Sequence, residues 1–323
     1  PENTPYHPPR LLRNAHLQSI LASTLPRKLK VRRQARAMLA ASRDIVLDCG
    51  HGVRLLGHYS GARQARGLVT LIHGWEGCSE SNYILSCASH LWARGYSVFR
   101  LNLRDHGPSH HLNRDLFNST RLEEVLGAIE AIQAQLSYPQ HFLVGFSLGG
   151  NFALRVGADS GGRTIELERI IAVCPVICPP TTMDNLENGL FIYHDYFLQK
   201  WKRSLRKKLL HFPEHNYGAA LPGLKSLRQM NQYFVPNHTA FPDCASYLQA
   251  YAITGNRLAQ LATPSFLITS SDDPVVLSRD IGLLEKPQNL HIEVTDHGGH
   301  CGFIANYRLD SWIDQRIAEL LEQ

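Results

Sequence analysis

From residue 44 onwards, short apolar or β-branched runs alternate with segments whose apolar positions recur at helical spacing. The runs 68–72 and 170–173 are almost uninterrupted in apolar residues, which is typical of strands buried on both faces. Such strands, alternating with helices, predict an α/β fold: a mostly parallel eight-stranded sheet with helices on both faces. The predicted strands are 45–48, 54–59, 68–72, 97–101, 142–145, 169–173, 265–269 and 291–294, and the predicted helices are 82–94, 120–136, 148–157, 278–284 and 309–321.

One segment, 179–260, interrupts this alternation. It begins with two prolines, contains several amphipathic helical pieces, and lies between two predicted core strands. Sheets of this kind bind ligands at the carboxyl ends of their strands, so an insertion at that edge is placed to form a lid. The predicted parts are a basic N-terminal arm over 1–43 that packs on the core, a core over 44–178 and 261–323, and a helical lid over 179–260.

The composition is that of a folded protein, because 44% hydrophobic and 19% charged residues in a chain of 323 exclude a disordered one. No run approaches the ~18 apolar residues of a membrane-spanning helix. The net charge of +5 is uneven: the arm contains nine basic residues and one acid, giving +8, and the remainder is −3. This distribution argues against a nucleic-acid partner. It is compatible with an arm that faces a membrane or docks on another molecule.

A second basic cluster lies inside the predicted lid, where no acid occurs between residues 196 and 213. Apolar residues interleave with the cations at roughly helical spacing. A helix that lies on anionic lipid has this pattern, and so has a solvated helix that packs its apolar face on the core, which is the interpretation favoured here. The cations are Lys200, Lys202, Arg203, Arg206, Lys207 and Lys208.

The seven cysteines have scattered spacings and form no paired C-x-x-C with histidines at zinc spacing. We therefore expect a cytoplasmic protein whose thiols are reduced. Peripheral contact with the inner face of the membrane is compatible with this expectation. No signal peptide is visible, although a chain that begins at Pro1 leaves a trimmed leader open. The histidines form no H-E-x-x-H motif, and His110 and His111 are predicted to lie on an exposed loop. We expect no metal and no other cofactor.

The motif G-x-S-x-G occurs at 145–149, directly after a predicted strand and directly before a predicted helix. This is the context of a nucleophile elbow, in which small residues let the chain turn sharply and leave a strained serine exposed. The N-terminus of the helix beneath the serine supplies a positive dipole and the free N–H of Leu148. Ser147 is the predicted nucleophile.

A serine hydroxyl is a poor nucleophile without a base. Two histidines, His297 and His300, follow the last predicted strand. A base on a loop near the serine is expected between small residues, and Gly299 and Gly302 flank His300. His300 is therefore the predicted base, and His297 is predicted to be a solvated loop residue.

The acid that orients the base is expected after the preceding strand, where Asp272 and Asp273 occur. With Ser270 in the glycine position, this segment resembles the G-x-x-D-x-x-V pattern of many hydrolases of this architecture. That register favours Asp273, with Val276 three residues later. Asp272 is the alternative, and in this register it would be a turn residue. The chain order serine, aspartate, histidine is that of α/β-hydrolases.

The strand 68–72 leads into the sequence His-Gly-Trp-Glu-Gly. A turn of this kind is the expected site of the second oxyanion-hole donor, so the N–H groups of Trp75 and Leu148 are the predicted pair. His73 is predicted to brace the loop through hydrogen bonds rather than to act in catalysis. The segment 104–107 is predicted to be a structural turn beside the site.

With these motifs, the chain resembles the α/β-hydrolase superfamily over about 44–323. The segment 13–20, Arg-Asn-Ala-His-Leu-Gln-Ser-Ile, is similar to the N-x-H-L-Q-[ST] signature of the YheT-like (AB hydrolase 4) family, which is related to the ABHD1/2/3 lipases and the yeast medium-chain ethyl-ester synthases. The resemblance implies an α/β-hydrolase fold and a triad of Ser147, Asp273 and His300. The sequence of the turn at 103–109 differs from that of family members as we know them. The identity of the substrate is therefore the property that can least be inferred from the resemblance.

Together these features predict a serine carboxylic-ester hydrolase, esterase- or lipase-like, that acts through an acyl-enzyme. The expected partner is a small-molecule acyl ester or lipid, and the oligomeric state stays open. Acyl transfer to an alcohol with the same triad is one alternative. A non-catalytic lipid-binding homologue is the other, and the intact triad argues against it.

Overall fold

The computed structural model describes residues 6–323, so the first five residues of the predicted arm lie outside the described part. The strands are β1 Ser42–Asp48, β2 Arg54–Ser60, β3 Leu68–Ile72, β4 Ser97–Leu101, β5 His141–Phe146, β6 Arg169–Val173, β7 Ser265–Ser270 and β8 Leu290–Thr295. The helices are α1 Ala15–Leu21, α2 Leu25–Gln34, α3 Arg36–Ala40, α4 Asn82–Ala93, α5 Leu122–Gln135, α6 Leu148–Asp159, α7 Pro179–Asn188, α8 Phe191–His211, α9 Leu227–His238, α10 Cys244–Ala250 and α11 Trp312–Leu321.

The eight strands form one sheet in the order β1-β2-β4-β3-β5-β6-β7-β8. Only the pairs that involve β2 are antiparallel, and all the others are parallel. The prediction of a mostly parallel eight-stranded sheet is confirmed. Strand β1 begins three residues earlier than predicted because Ser42 already pairs with Ser60 of β2.

Two buried clusters lie on opposite faces of the sheet. One contains α4 and α11, with the arm helix α2 packed beside α4. The other contains α5, α6 and the four helices between β6 and β7, which we call the inserted helices (α7–α10). None of the helices in the described residues combines the length and the hydropathy that crossing a bilayer requires.

Two predicted helices differ from the observed elements. The helix predicted over 278–284 is a single 3₁₀ helix, Ser278–Leu283. The last helix begins at Trp312 rather than at 309, because Leu309 has a φ of +59° and Ser311 caps the helix by accepting from the Asp314 N–H. Both differences arise from local turn geometry that apolar spacing does not encode.

The described part of the basic arm forms three α-helices, α1–α3, that were not predicted, and part of its charge contacts the core. Arg27 is buried and donates to the Ser86 hydroxyl at 2.7 Å and to the Leu309 carbonyl. Lys30 pairs with Asp310. These cations therefore bind core groups and do not contribute to a free basic face.

The basic cluster on α8 is divided between solvent and interior. Lys208 is 1% exposed, and its ammonium lies 2.7 Å from a carboxylate oxygen of Asp105. Ser204 donates to the Asp105 carbonyl and contacts His110, which is buried although an exposed loop was predicted. The helix packs apolar residues such as Leu205 on the core as expected, but its six cations do not form one solvated face. The exposed members are Arg203, Arg206 and Lys207.

Replacing Lys208 with methionine is expected to lower the free energy of unfolding by about 3–5 kcal/mol, because it leaves the Asp105 carboxylate buried without its partner. Burial raises the pKa of Asp105 and lowers that of Lys208, so the attraction between the two charges offsets part of the cost of desolvating them. Chemical denaturation measures the change. The matched control, the exposed neighbour Lys207→Met, is expected to shift stability by less than about 0.5 kcal/mol. Equal effects of the two substitutions would contradict the assigned role of Lys208.

Candidate active site

Ser147 lies at the sharp turn between β5 and α6 with a φ of +54° and a ψ of −118°. The two motif glycines permit this turn, because a Cβ at Gly145 would collide with the Gly149 carbonyl. A Cβ at Gly149 would collide with the carbonyls of Ile72 and His73 at the end of β3. Close packing of three backbone segments therefore holds the serine in a strained conformation at the carboxyl edge of the sheet.

The structure brings Ser147, His300 and Asp273 into one hydrogen-bonded chain. The distance from His300 Nε2 to Ser147 Oγ is 3.0 Å, and that from His300 Nδ1 to Asp273 Oδ2 is 2.8 Å. The second oxygen of Asp273 accepts from the N–H groups of Val275 and Val276 at 2.8 and 2.9 Å. Because the carboxylate accepts the Nδ1 proton, Nε2 is left to accept the serine proton.

The two alternative residues lie outside this chain. Asp272 Oδ1 accepts from the Gly299 N–H at 2.9 Å, so this residue supports the histidine loop instead of the histidine ring. His297 is 3.6 Å from Asp272 and is partly buried, whereas a solvated residue was predicted. The geometry therefore favours Asp273 and His300 over their neighbours.

His300 lies in a balance of opposing effects on its pKa. Burial alone acts to lower the pKa, because it disfavours the imidazolium. The charge of Asp273, the neighbouring Cys301 and the hydrogen bond that His300 donates to Asp273 act in the opposite direction, and the result is a pKa raised from 6.5 to about 9. The site therefore stabilises a proton on His300, which is what a base needs at the moment of proton transfer.

Two backbone N–H groups lie beside the serine. A Cβ at Gly74 would be 3.0 Å from the Ser147 Cβ, so the loop after β3 packs directly against Ser147. Within the described part of the chain, the N–H groups of Trp75 and Leu148 donate to no protein acceptor. The hydroxyl of Tyr83 accepts from the Gly74 N–H at 3.0 Å and fixes this loop, a contact that no motif indicates.

The loop after β3 is also braced by two buried histidines. His73 contacts the Gly74 carbonyl through Nδ1 at 2.7 Å and accepts from the Leu103 N–H through Nε2 at 3.1 Å. Burial lowers the pKa of His73 to about 4, so the ring stays neutral and can make both contacts. His106, in the predicted structural turn, accepts from the Glu76 N–H at 3.1 Å. His73 therefore makes the bracing contacts predicted for it.

Ser147 and His300 open into a largely apolar cavity of about 300 Å³. Most of its wall comes from the arm, the loop after β3 with the start of α4, and the first turns of α8, and Val275 after β7 adds to it. Among the lining residues are Ser19, Ile20, Thr24, Trp75, Ile192, Tyr193, Phe197 and Lys200. The Lys200 ammonium donates to the Glu76 carbonyl at 3.0 Å and lies over the Tyr196 ring, and Lys200 lines the cavity.

Among the residues that the structure describes, three side chains of types that bind metals lie close together at the site. The side-chain ligand atoms of Cys174, His300 and Cys301 are all within 4.8 Å of one another. Both His300 nitrogens are already engaged by Ser147 and Asp273, so the group offers an ion two thiols but no unoccupied imidazole nitrogen. The arrangement is better suited to proton transfer than to holding an ion.

This serine on a strand-turn-helix turn, with a histidine on the loop after the last strand, agrees with the comparison to known protein families. The model of the alpha/beta hydrolase fold family matches residues 67–307. The chain belongs to this family. The structural neighbours of this alpha/beta hydrolase include the Pyrococcus furiosus esterase Pf2001, with a TM-score of 0.56, 17% identity, and coverage of 87% of this chain and 92% of that one. At that identity the likeness shows the fold alone.

The relatives of this alpha/beta hydrolase include esterase-like proteins, and they support the predicted YheT-like resemblance. The putative esterase YheT of Escherichia coli K12 is 24% identical over 97% of this chain and 92% of its own length. The medium-chain fatty acid ethyl ester synthase/esterase 2 of Saccharomyces cerevisiae is 23% identical over 78% of this chain and 61% of its own. The monoacylglycerol lipase ABHD2 of Danio rerio is 24% identical over 74% of this chain and 61% of its own length. These relatives support a hydrolase of esterase type.

Proposed function

We propose that this chain is a serine carboxylic-ester hydrolase that acts on acyl esters through an acyl-enzyme. The observation that carries the proposal is the continuous hydrogen-bonded chain from Ser147 through His300 to Asp273, with the serine on a strained turn. Nucleophile, base and orienting acid in this geometry are what acyl transfer to a serine requires.

In the first half of the reaction, Ser147 Oγ attacks the ester carbonyl carbon while His300 Nε2 takes the hydroxyl proton. The carbonyl oxygen becomes an oxyanion and accepts from the N–H groups of Trp75 and Leu148, at the positive end of α6. Asp273 stabilises the imidazolium and remains ionised. The tetrahedral intermediate then collapses: the bond to the alcohol oxygen breaks, and His300 gives its proton to the departing alcohol.

In the second half, a water molecule takes the place of the alcohol. His300 removes a proton from it, the resulting hydroxide oxygen attacks the acyl carbon, and the same N–H groups stabilise the second oxyanion. The bond to Ser147 Oγ breaks, and the proton returns from His300 to the serine. A carboxylic acid is released and the enzyme is restored.

The cavity supports an apolar acyl group as the part of the substrate that is held beside Ser147. Its lining is mainly apolar and its volume is about 300 Å³. Each buried CH₂ adds about 0.8 kcal/mol of binding, so kcat/KM is expected to rise along a series of p-nitrophenyl esters until the chain fills the cavity. A fall with every added carbon, starting from acetate, would contradict an acyl site in this cavity.

A fluorophosphonate probe tests the proposal directly. The reagent should form a covalent adduct that mass spectrometry locates on Ser147, and labelling should abolish hydrolysis of p-nitrophenyl esters. A folded protein that neither labels nor hydrolyses would instead support the non-catalytic lipid-binding homologue. An adduct on another serine would overturn the assignment of the nucleophile.

Activity is expected to rise with pH over the alkaline range. Because only neutral His300 can accept the serine proton, and its pKa is raised to about 9, a minor fraction of the enzyme is ready at pH 7. The acid limb of kcat/KM for a non-ionising ester should therefore have a midpoint well above 6.5 and near 9. A midpoint at or below 6.5 would contradict the dominance of the Asp273 charge over burial.

Acyl transfer to an alcohol is the second candidate, because one relative has ethyl ester synthase in its name. The triad is the same, and the two activities differ only in whether water or an alcohol attacks the acyl-enzyme. Incubation of the enzyme with an acyl ester in the presence of ethanol separates them. Ethyl ester above the ratio expected from the relative concentrations of ethanol and water would favour transfer, and free acid alone would favour hydrolysis.

A further inference from the structure

The N-terminal segment around α1 contacts the loop that presents the base. Gln18 has no exposed surface, and its side-chain amide donates to the carbonyls of Leu12 and Ile304 at 2.6 and 3.2 Å. Its side-chain oxygen accepts from the Ile304 N–H at 2.7 Å. A single glutamine therefore satisfies both backbone groups of a residue four positions after His300.

Ser19, the next residue of α1, contacts the base residue itself. Its hydroxyl accepts from the His300 N–H at 2.9 Å and donates to the Ala15 carbonyl at 2.8 Å. The donor bond to Ala15 fixes the hydroxyl, so that its lone pair points at the His300 backbone. The position of the imidazole relative to Ser147 thus depends in part on a side chain 281 residues earlier in the chain.

The backbones of α1 and the histidine loop also pack without intervening side chains. A Cβ at Gly299 would collide with the Ala15 carbonyl, and a Cβ at Gly302 would lie 2.7 Å from the Gln18 carbonyl. On its other side, Gly299 is held by Asp272. The loop is therefore clamped between α1 and the loop after β7, and the two glycines are required for that approach.

The opposite side of the same segment lines the substrate cavity. Ile20 and Thr24 contribute to its wall. His16 contacts the Tyr193 hydroxyl of α8 at 3.0 Å, which joins α1 to the cavity wall formed by the inserted helices. One short segment thus faces the base on one side and the cavity on the other.

We propose that Gln18 and Ser19 are positioning residues for the base His300, and that Ile20 beside them is a wall of the substrate cavity, so that the N-terminal arm is a working part of the active site. The proposal rests on the ester-hydrolase function proposed above. It assigns a role to the Asn-Ala-His-Leu-Gln-Ser segment, which the triad and the oxyanion hole leave unused.

The two roles predict different kinetic effects on a medium-chain p-nitrophenyl ester. Ser19→Ala should lower kcat about 10- to 100-fold with KM changed less than threefold, because misplacement of the base slows chemistry and not binding. Ser19→Thr retains the hydroxyl and should restore most of kcat. Ile20→Ala should raise KM for the medium-chain ester about 3- to 10-fold and leave kcat nearly unchanged. Ser160→Ala, a serine replacement at the end of α6, is the matched control and should equal wild type.

Gln18→Met tests the contact between Gln18 and the histidine loop. The substitution keeps the approximate shape of the side chain and removes its three hydrogen bonds to Leu12 and Ile304. A thermal melt is recorded for each variant, so that a kcat loss is counted only at a temperature where the variant is folded. The proposal is overturned if folded Ser19→Ala and folded Gln18→Met both retain wild-type kcat, or if Ser19→Thr is as slow as Ser19→Ala. If wild type itself neither hydrolyses esters nor labels with a fluorophosphonate, the proposed function has failed instead.

Discussion

Replacing Ser147 with alanine is expected to lower kcat for p-nitrophenyl ester hydrolysis by about 10⁴- to 10⁶-fold. The hydroxyl at 3.0 Å from His300 Nε2 supplies the atom that forms the covalent bond, and no step of the proposed reaction proceeds without it. The residual rate would come from the oxyanion donors and substrate binding alone. Steady-state assays on protein purified to exclude contaminating esterases measure the loss.

The fold of this variant should be unchanged, because the backbone of residue 147 is held by glycine packing on both sides and not by the hydroxyl. Equal melting temperatures of wild type and variant would verify this. Fluorophosphonate labelling should disappear together with activity. If the variant retained more than about a tenth of the wild-type kcat, Ser147 would not be the nucleophile, and hydrolysis would take place at a different site.

The two adjacent aspartates allow the second prediction with its own internal control. Asp273→Asn is expected to reduce kcat by about 10⁴-fold, because the amide neither stabilises the imidazolium nor holds the ring with Nε2 free to accept. Asp272→Asn should remain within a few-fold of wild type, since an asparagine oxygen can still accept from the Gly299 N–H. Both variants differ from wild type by the same atoms at neighbouring positions.

The pH dependence provides a further check on the same pair. Loss of the Asp273 charge leaves burial as the main influence on His300, so the acid limb of kcat/KM should move to lower pH in Asp273→Asn. It should stay in place in Asp272→Asn. If Asp272→Asn were instead the severe variant, the register that assigns Asp273 to the base would be wrong.

The parts of the fold and site that the sequence predicts are those with local determinants. Strands such as β3 and β6 are contiguous apolar runs, and the turn at Ser147 is specified by glycines two residues away on either side. His300 and Asp273 are identified by short motifs after predicted strands. In each case the physical cause lies within a few residues of the effect.

The parts that the sequence does not predict depend on distant partners. The amphipathic pattern of α8 indicates a helix, but the inward position of Lys208 is set by Asp105, which is 103 residues earlier. The arm segment shows its importance only through contacts with the His300 loop more than 280 residues away. Tyr83 is identified as a support for Gly74 only once the first turn of α4 is placed against the loop after β3.

The distance along the chain between Gln18 and Ile304 has a consequence for biosynthesis. During translation, the arm, the elbow and the loop after β3 are all synthesised before the segment that carries His300. A nascent chain that ends before residue 300 therefore exposes a serine without a base and an arm without the loop it clamps. In the proposed mechanism, ester cleavage therefore begins only when the loop that carries His300 has been synthesised and has docked on α1.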